Sequence, residues 1–211
     1  MVDSLGCYLP EEDVGGLYRL VWDYPMRPAK CLRPALCVAT AALGGASVQE
    51  ALPTATALEL YHNAFLIHDD IEDGSLLRRG GSTLHTEHGI PIALNVGDSL
   101  LALALQPLLE NTAALDLGRA LRILQLIADM ARQTAEGQAI ELGWIQGDTY
   151  AISDAAYVDM VTRKTALYTF VTPVHAGALI GTLTASHRER LLSFAHAPVS
   201  YTHLTLPTST H

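Results

Sequence analysis

Leu66-Ile67-His68-Asp69-Asp70-Ile71-Glu72-Asp73 closes a long apolar stretch that begins near Ala55. Ser47 followed by Glu50 is a capping-box pattern, and Gly74 follows the last acid, so the spacing predicts one helix from about Val48 through Asp73. Pro53 falls near its start and predicts an irregular first turn. On such a helix Asp69 and Asp73 share one face and Asp70 lies one position round. Two carboxylates on one face repel unless a cation sits between them, and hard oxygen ligands at this spacing suit Mg2+, with Mn2+ as a substitute. Taken alone, the acids equally fit a solvated helix end. Their position after an apolar helix places them instead at the rim of a deep cavity.

The surrounding sequence supports an all-α chain. Hydrophobic residues make up 49% of the 211 and aromatics only 6%, and alanine and leucine, strong helix formers, dominate. The length suits one domain with a sizeable core. The pattern predicts helices from Arg33-Pro34 through Ala42 with Gly44-Gly45 as a stop, from Pro91 to about Leu109, from Leu117 to Trp144, from a cap at Ser153 or Asp154 toward Lys164, and over Ala166 to Leu183. Tyr24 to Lys30 reads as a loop. After Ala195 the sequence turns Thr-, Pro- and His-rich without helical periodicity. This divides the chain into a main unit over residues 1–195 and a tail over 196–211 that is expected to be disordered or foreign to the gene.

The net charge of -9 argues against nucleic acid, which requires a basic face. A small phosphorylated ligand stays open, because bound metal ions supply positive charge themselves. Cys7, Cys31 and Cys37 have no metal-ligand spacing and read as small hydrophobes in a reducing, cytoplasmic setting. Met1 to Pro10 lacks a basic leader segment, and no apolar run is expected to reach the roughly 20 residues of a membrane span.

Cations flank the acidic stretch. Arg78-Arg79-Gly80 follow a short loop, and two guanidinium groups there suit either simple charge pairing or diphosphate oxygens. Lys30 and Arg33 stand at a loop-to-helix junction, where backbone N–H groups and cations together favour an anion. His62 lies two turns before Asp69 on the same face, as a core histidine or as a site residue.

Leu66 to Asp73 with Arg78-Arg79-Gly80, Lys30-Cys31-Leu32-Arg33-Pro34, Glu136-Gly137-Gln138-Ala139-Ile140-Glu141 and Lys164-Thr165-Ala166-Leu167 occur in the order seen in the trans-type isoprenyl diphosphate synthases, and the chain resembles that polyprenyl synthetase family from about residue 28 to 194. Cys31 stands where the family usually has an arginine. The resemblance implies a helical bundle around a central cavity, incomplete at its C-terminus, and a prenyltransferase that joins isopentenyl diphosphate to an allylic diphosphate. It further implies Mg2+ on Asp69, Asp70 and Asp73, and Arg78, Lys164 and Thr165 on the allylic substrate. Lys30, Arg33, His62 and Arg79 would hold isopentenyl diphosphate, and Gln138 would lie near the reacting carbons. Ala64 and Phe65 would form the floor that sets product length, favouring fifteen to twenty carbons, although Phe65 also fits simple packing between helices. Ionisation of the allylic diphosphate, attack by the isopentenyl double bond and proton loss need a dry channel and no side-chain nucleophile. A homodimer is the implied assembly of the full-length form.

The chain departs from that pattern at one place. No Asp follows Asp159, and Glu189 is the only later Glu, so the family's second aspartate-rich motif is absent. The expectation is a truncated chain with little synthase activity of its own. Two rivals remain: a class I terpene cyclase, which the cations for a second diphosphate argue against, and a non-catalytic partner subunit or fragment, which the missing motif keeps open.

Overall fold

The computed structural model describes residues 6–8, 10 and 12–204. After a 3-10 turn at Val14–Gly16 come α1 (Leu17–Val21), α2 (Asp23–Met26), α3 (Leu32–Leu43) and α4 (Val48–Glu72). A small hairpin of β1 (Leu77–Arg78) and β2 (Gly81–Ser82) follows. The remainder is helical: α5 (Leu84–His88), α6 (Ile90–Leu103), α7 (Leu105–Ala114), α8 (Leu117–Gln146), α9 (Asp154–Val161), a π-helical segment (Thr162–Val171), α10 (Thr172–Ile180) and α11 (Ala185–Leu204).

Helix α4 is the axis of the bundle. Ser47 and Glu50 form the predicted capping box, and Pro53 sits inside the helix without ending it. Buried residues occur on every face of α4, from Ala51 and Leu58 to Ala64, Ile67 and Asp70, as befits a helix enclosed by others. On one side it packs with α3, α7, α8 and α10 through Ala41, Leu58, Leu108, Ile127 and Ile180. On the other it meets α1, α2 and α6 through Val21, Tyr24, Leu60, Ile67, Val96 and Leu100. The buried Thr54 and Asn111 satisfy each other, with Asn111 Nδ2 donating to Thr54 Oγ1 at 2.9 Å, so this polar pair carries little desolvation cost. Helices α3 and α10 touch backbone to backbone. A Cβ at Gly177 would lie 2.4 Å from the Cys37 carbonyl oxygen.

The helical architecture agrees with the sequence reading, and its departures have local causes. Asp23–Met26 is helical within the predicted loop, because Arg27 pairs back to Asp23 at 2.7 Å one turn away. The predicted helix over Pro91 to Leu109 breaks at Ala104 into α6 and α7. Ile90 to Ala114 is, by length and composition, apolar enough to cross a membrane, contrary to the expectation that no run reaches that length. Ala93, Val96 and Leu100 of this stretch lie fully buried in the core. The segments before and after Lys164 join into one helical run. Beyond Ala195 the backbone of α11 runs on as helix to Leu204, within the stretch expected to be disordered or foreign to the gene; residues 205–211 of that stretch, and residues 1–5, 9 and 11 at the other end, lie outside the described residues.

Candidate active site

Two separate cavities lie beside α4. The first, of about 630 Å3, is lined by Phe65, Asp69 and Glu72 of α4, Arg78 of β1, Gln138 of α8, and Lys164, Thr165 and Tyr168 of the π-helical segment. The second, of about 550 Å3, is lined by Lys30, Cys31 and Arg33 around the start of α3, Glu59 and His62 of α4, and Arg79. Tyr168 lies between them. Its ring lies 4.4 Å under the Arg33 guanidinium, 5.8 Å from the His62 ring and 5.7 Å, edge-on, from Phe65.

The hairpin sends its two arginines to different cavities. Arg79 has φ +51° and Gly80 φ +81°, a left-handed turn that lets two strands reverse tightly. Arg27 secures the hairpin, donating to the carbonyls of Arg78 at 2.8 Å and Ser82 at 2.6 Å. Arg78 turns to the acidic end of α4, where its Nε donates to Asp70 Oδ1 at 2.7 Å and its Nη2 lies 3.4 Å from Asp69 Oδ2. Arg79 turns the other way, with Nη2 3.1 Å from His62 Nε2. Burial above all, and then the charges of Arg33 and Arg79, depress the His62 pKa to about 2, so this imidazole is neutral.

The three aspartates occupy unequal places. Asp70 is fully buried, held by Arg78 and by Tyr24 Oη at 2.5 Å. Asp69 faces the first cavity, 3.2 Å from Lys164 Nζ. Lys164 also bonds Glu141 of α8, so its ammonium bridges two carboxylates from facing helices. Desolvation and the neighbouring Asp69 raise the Asp73 pKa, the mark of carboxylates crowded on one side. A close helix contact makes the bridge possible, since a Cβ at Gly137 would lie 2.3 Å from the Lys164 backbone nitrogen. Among the described residues no three His, Cys, Asp or Glu side chains converge as a metal ion needs. In kind the donors fit Mg2+ or Mn2+, being carboxylate oxygens. Asp69 and Asp73 are the members of the predicted set left facing outward, and Lys164 supplies positive charge there.

Of the predicted site residues, the structure gathers Asp69, Arg78, Gln138, Lys164 and Thr165 at the first cavity and Lys30, Arg33, His62 and Arg79 at the second. Phe65 lines the first cavity, whereas Ala64 is fully buried toward α6 and lines neither. Glu72 accepts from Gln138 Nε2 at 2.6 Å. Sequence reasoning passed over Glu59, Glu141, Tyr168, Thr169 and Arg27. An acid three residues before His62 inside an apolar helix was a usable signal for Glu59, and Glu141 lies one turn after Gln138. Tyr168 and Thr169 carried none, because their importance comes from packing on Arg33, whose Nη2 donates to Thr169 Oγ1 at 2.6 Å.

A family model described as polyprenyl synthetase matches residues 16–197. The chain belongs to the polyprenyl synthetase family. It is 34% identical over 157 residues to a geranylgeranyl pyrophosphate synthase of Geoglobus acetivorans, covering 74% of this chain and 48% of that one. It is 32% identical over 193 residues to a short chain isoprenyl diphosphate synthase of Methanocaldococcus jannaschii, covering 92% of this chain and 56% of that protein. The crystal structure of a geranylgeranyl pyrophosphate synthetase from Pyrococcus horikoshii superposes with a TM-score of 0.86 at 28% identity, over 95% of this chain and 60% of that one. This polyprenyl synthetase chain spans about half the length of the curated relatives it matches.

Proposed function

We propose that the first cavity binds an allylic prenyl diphosphate and the second isopentenyl diphosphate, for trans-prenyl chain elongation. The observation that carries this reading is the division of the cations: Arg78 and Lys164 line one cavity, Lys30, Arg33 and Arg79 the other, with Tyr168 as the wall between. A protein that acts on a single diphosphate has no use for the second basic cavity, which disfavours the cyclase reading. Asp69 and Asp73 would hold the divalent cation, whose chemistry is to draw negative charge from the departing diphosphate. Arg78, fixed by the buried Asp70, presents its guanidinium at the cavity rim. Lys164 exchanges Asp69 for the allylic diphosphate. Tyr61, Phe65, Leu101 and Ala131 make the deeper wall apolar and keep water from a reactive cation. The cavity's extent and the geranylgeranyl synthase relative favour products of fifteen to twenty carbons.

Labelled isopentenyl diphosphate incubated with Mg2+ and farnesyl diphosphate tests the reading. Saturable isopentenyl diphosphate binding that Arg79→Gln weakens at least tenfold, with little elongation by this chain on its own, is the expected result. Consumption of farnesyl diphosphate without isopentenyl diphosphate, or isopentenyl diphosphate binding unaffected by Arg79→Gln, would count against it.

A further inference from the structure

The second cavity contains a group that anion binding leaves unexplained. Glu59 is only 4% exposed and lines the cavity one turn before His62, and its Oε2 has no hydrogen-bond partner in the protein. An ionised acid inside a site for an anion opposes binding, and a buried carboxylate oxygen without a donor is costly by itself. The groups around it come from four places. Arg33 reaches it from α3, Arg79 from the hairpin, and Lys30 and the Cys31 thiol from the loop before α3. His62 and Asn63 share its helix; Asn63 Nδ2 donates to the Glu59 backbone carbonyl at 2.8 Å and the same side chain lies close enough to favour the carboxylate, but Oε2 itself has no partner. Burial raises its pKa and has the largest effect, while Arg33, Arg79 and the Asn63 side chain favour the ionised acid.

Two other buried atoms of the cavity lack protein partners, Arg33 Nε and His62 Nδ1. Arg79 donates to His62 Nε2, because a guanidinium only donates. The neutral imidazole therefore carries its hydrogen on Nδ1. The cavity presents two unpartnered N–H donors and one unpartnered acid oxygen. The donors match phosphoryl oxygens directly. The acid matches them only as a carboxylic acid, which donates one O–H.

We infer that Glu59 takes up a proton from solvent when a diphosphate enters the second cavity and donates it in a hydrogen bond to a phosphoryl oxygen, so that this site binds its anion together with one proton. The inference rests on the assignment of this cavity to a diphosphate. The carboxylate and one solvent proton become the carboxylic acid, and no other bond changes. The arriving negative charge drives the uptake, since a like charge beside an acid disfavours its ionisation.

Isothermal titration near neutral pH, with a chelator present and in buffers of different ionisation enthalpy, tests it with sulfate and with inorganic pyrophosphate. Sulfate has no titratable proton in this range, so any uptake on its binding belongs to the protein. The expected result is an uptake of about one proton per sulfate, with affinity rising up to about tenfold per unit of acidification. Glu59→Gln should still bind sulfate, with the uptake and the pH slope abolished. Infrared difference spectra of the unaltered chain should show a protonated carboxyl band appearing on sulfate addition, a readout that does not depend on the variant folding. Anion binding without proton uptake, or with equal uptake in folded Glu59→Gln, overturns the inference alone. Failure of both anions to bind overturns it together with the diphosphate assignment.

Discussion

Arg78 and Arg79 are neighbours in the chain and serve opposite sides of one partition: Arg78 is bonded to the buried Asp70, and Arg79 reaches His62 from the other cavity. Their substitution should therefore separate stability from binding. Arg78→Leu leaves the Asp70 carboxylate, 1% exposed, without its cation. Breaking a buried pair from one side costs about 3 kcal/mol, so a fall of several degrees in Tm is expected. Arg79→Gln breaks no ion pair with a buried acid, and Glu59 keeps the charge of Arg33 beside it. It should shift Tm by far less than Arg78→Leu, and a larger effect of Arg79→Gln would contradict this division.

His62 should make stability depend on acidity. Its pKa is about 2 in the folded chain against an ordinary 6.5. Between those values the unfolded chain binds a proton that the folded chain does not, so stability rises with pH across the window and is lost as pH falls below about 6.5. One pH unit corresponds to about 1.4 kcal/mol, so from pH 6.5 to 5 the contribution is roughly 2 kcal/mol. His62→Gln keeps an acceptor for Arg79 and has no proton to gain. Urea unfolding at several pH values should show a steeper acid loss in the unaltered chain than in the variant, and equal slopes would show that His62 is not held neutral.

Much of this arrangement was legible in the sequence, for physical reasons. The capping box at Ser47 and Glu50 and the apolar run after it are local signals, and α4 follows them closely. Charge placement was legible too: Lys30, Arg33, His62, Asp69, Arg78, Arg79 and Lys164 all reach one of the two cavities. What escaped were facts of rotation and distance. Asp69 and Asp70 are adjacent letters, but a turn of about 100° per residue sends one into the cavity and the other into the core. The same rotation separates Phe65, at the cavity, from Ala64, against α6. The role of Tyr168 depends on Arg33, 135 positions earlier, and no local pattern encodes that contact.

The Lys164 bridge between Asp69 and Glu141 sets an expectation for metal binding without any diphosphate. The ammonium competes with a divalent cation for the same oxygens. Lys164→Gln should therefore tighten Mn2+ binding several-fold, as read from the free Mn2+ signal in electron paramagnetic resonance. Asp69→Asn should weaken it strongly. Asp70→Asn should change it little, because that carboxylate already faces Arg78 and Tyr24 inside the protein. Equal losses for Asp69→Asn and Asp70→Asn would mean that Asp70 turns outward to the metal, against the arrangement seen.

Phe65 should set how long a prenyl chain the first cavity accepts. Its ring closes the apolar side together with Tyr61, 5.9 Å away, and Tyr168 at 5.7 Å. Phe65→Ala removes the central member of this trio and opens space for further methylenes, each worth about 0.8 kcal/mol when buried. A five-carbon isoprene unit admitted into that space is worth enough to raise the affinity for geranylgeranyl diphosphate over farnesyl diphosphate by at least tenfold in the variant, even if most of the ideal transfer energy is lost to an imperfect fit. Ala64→Val is the control, since Ala64 packs against α6 and faces no cavity: it should lower stability through overpacking without changing the preference. Competition binding of the two diphosphates to each variant separates the roles. A preference that moves with Ala64 and not with Phe65 would place the floor of the cavity on the other face of α4.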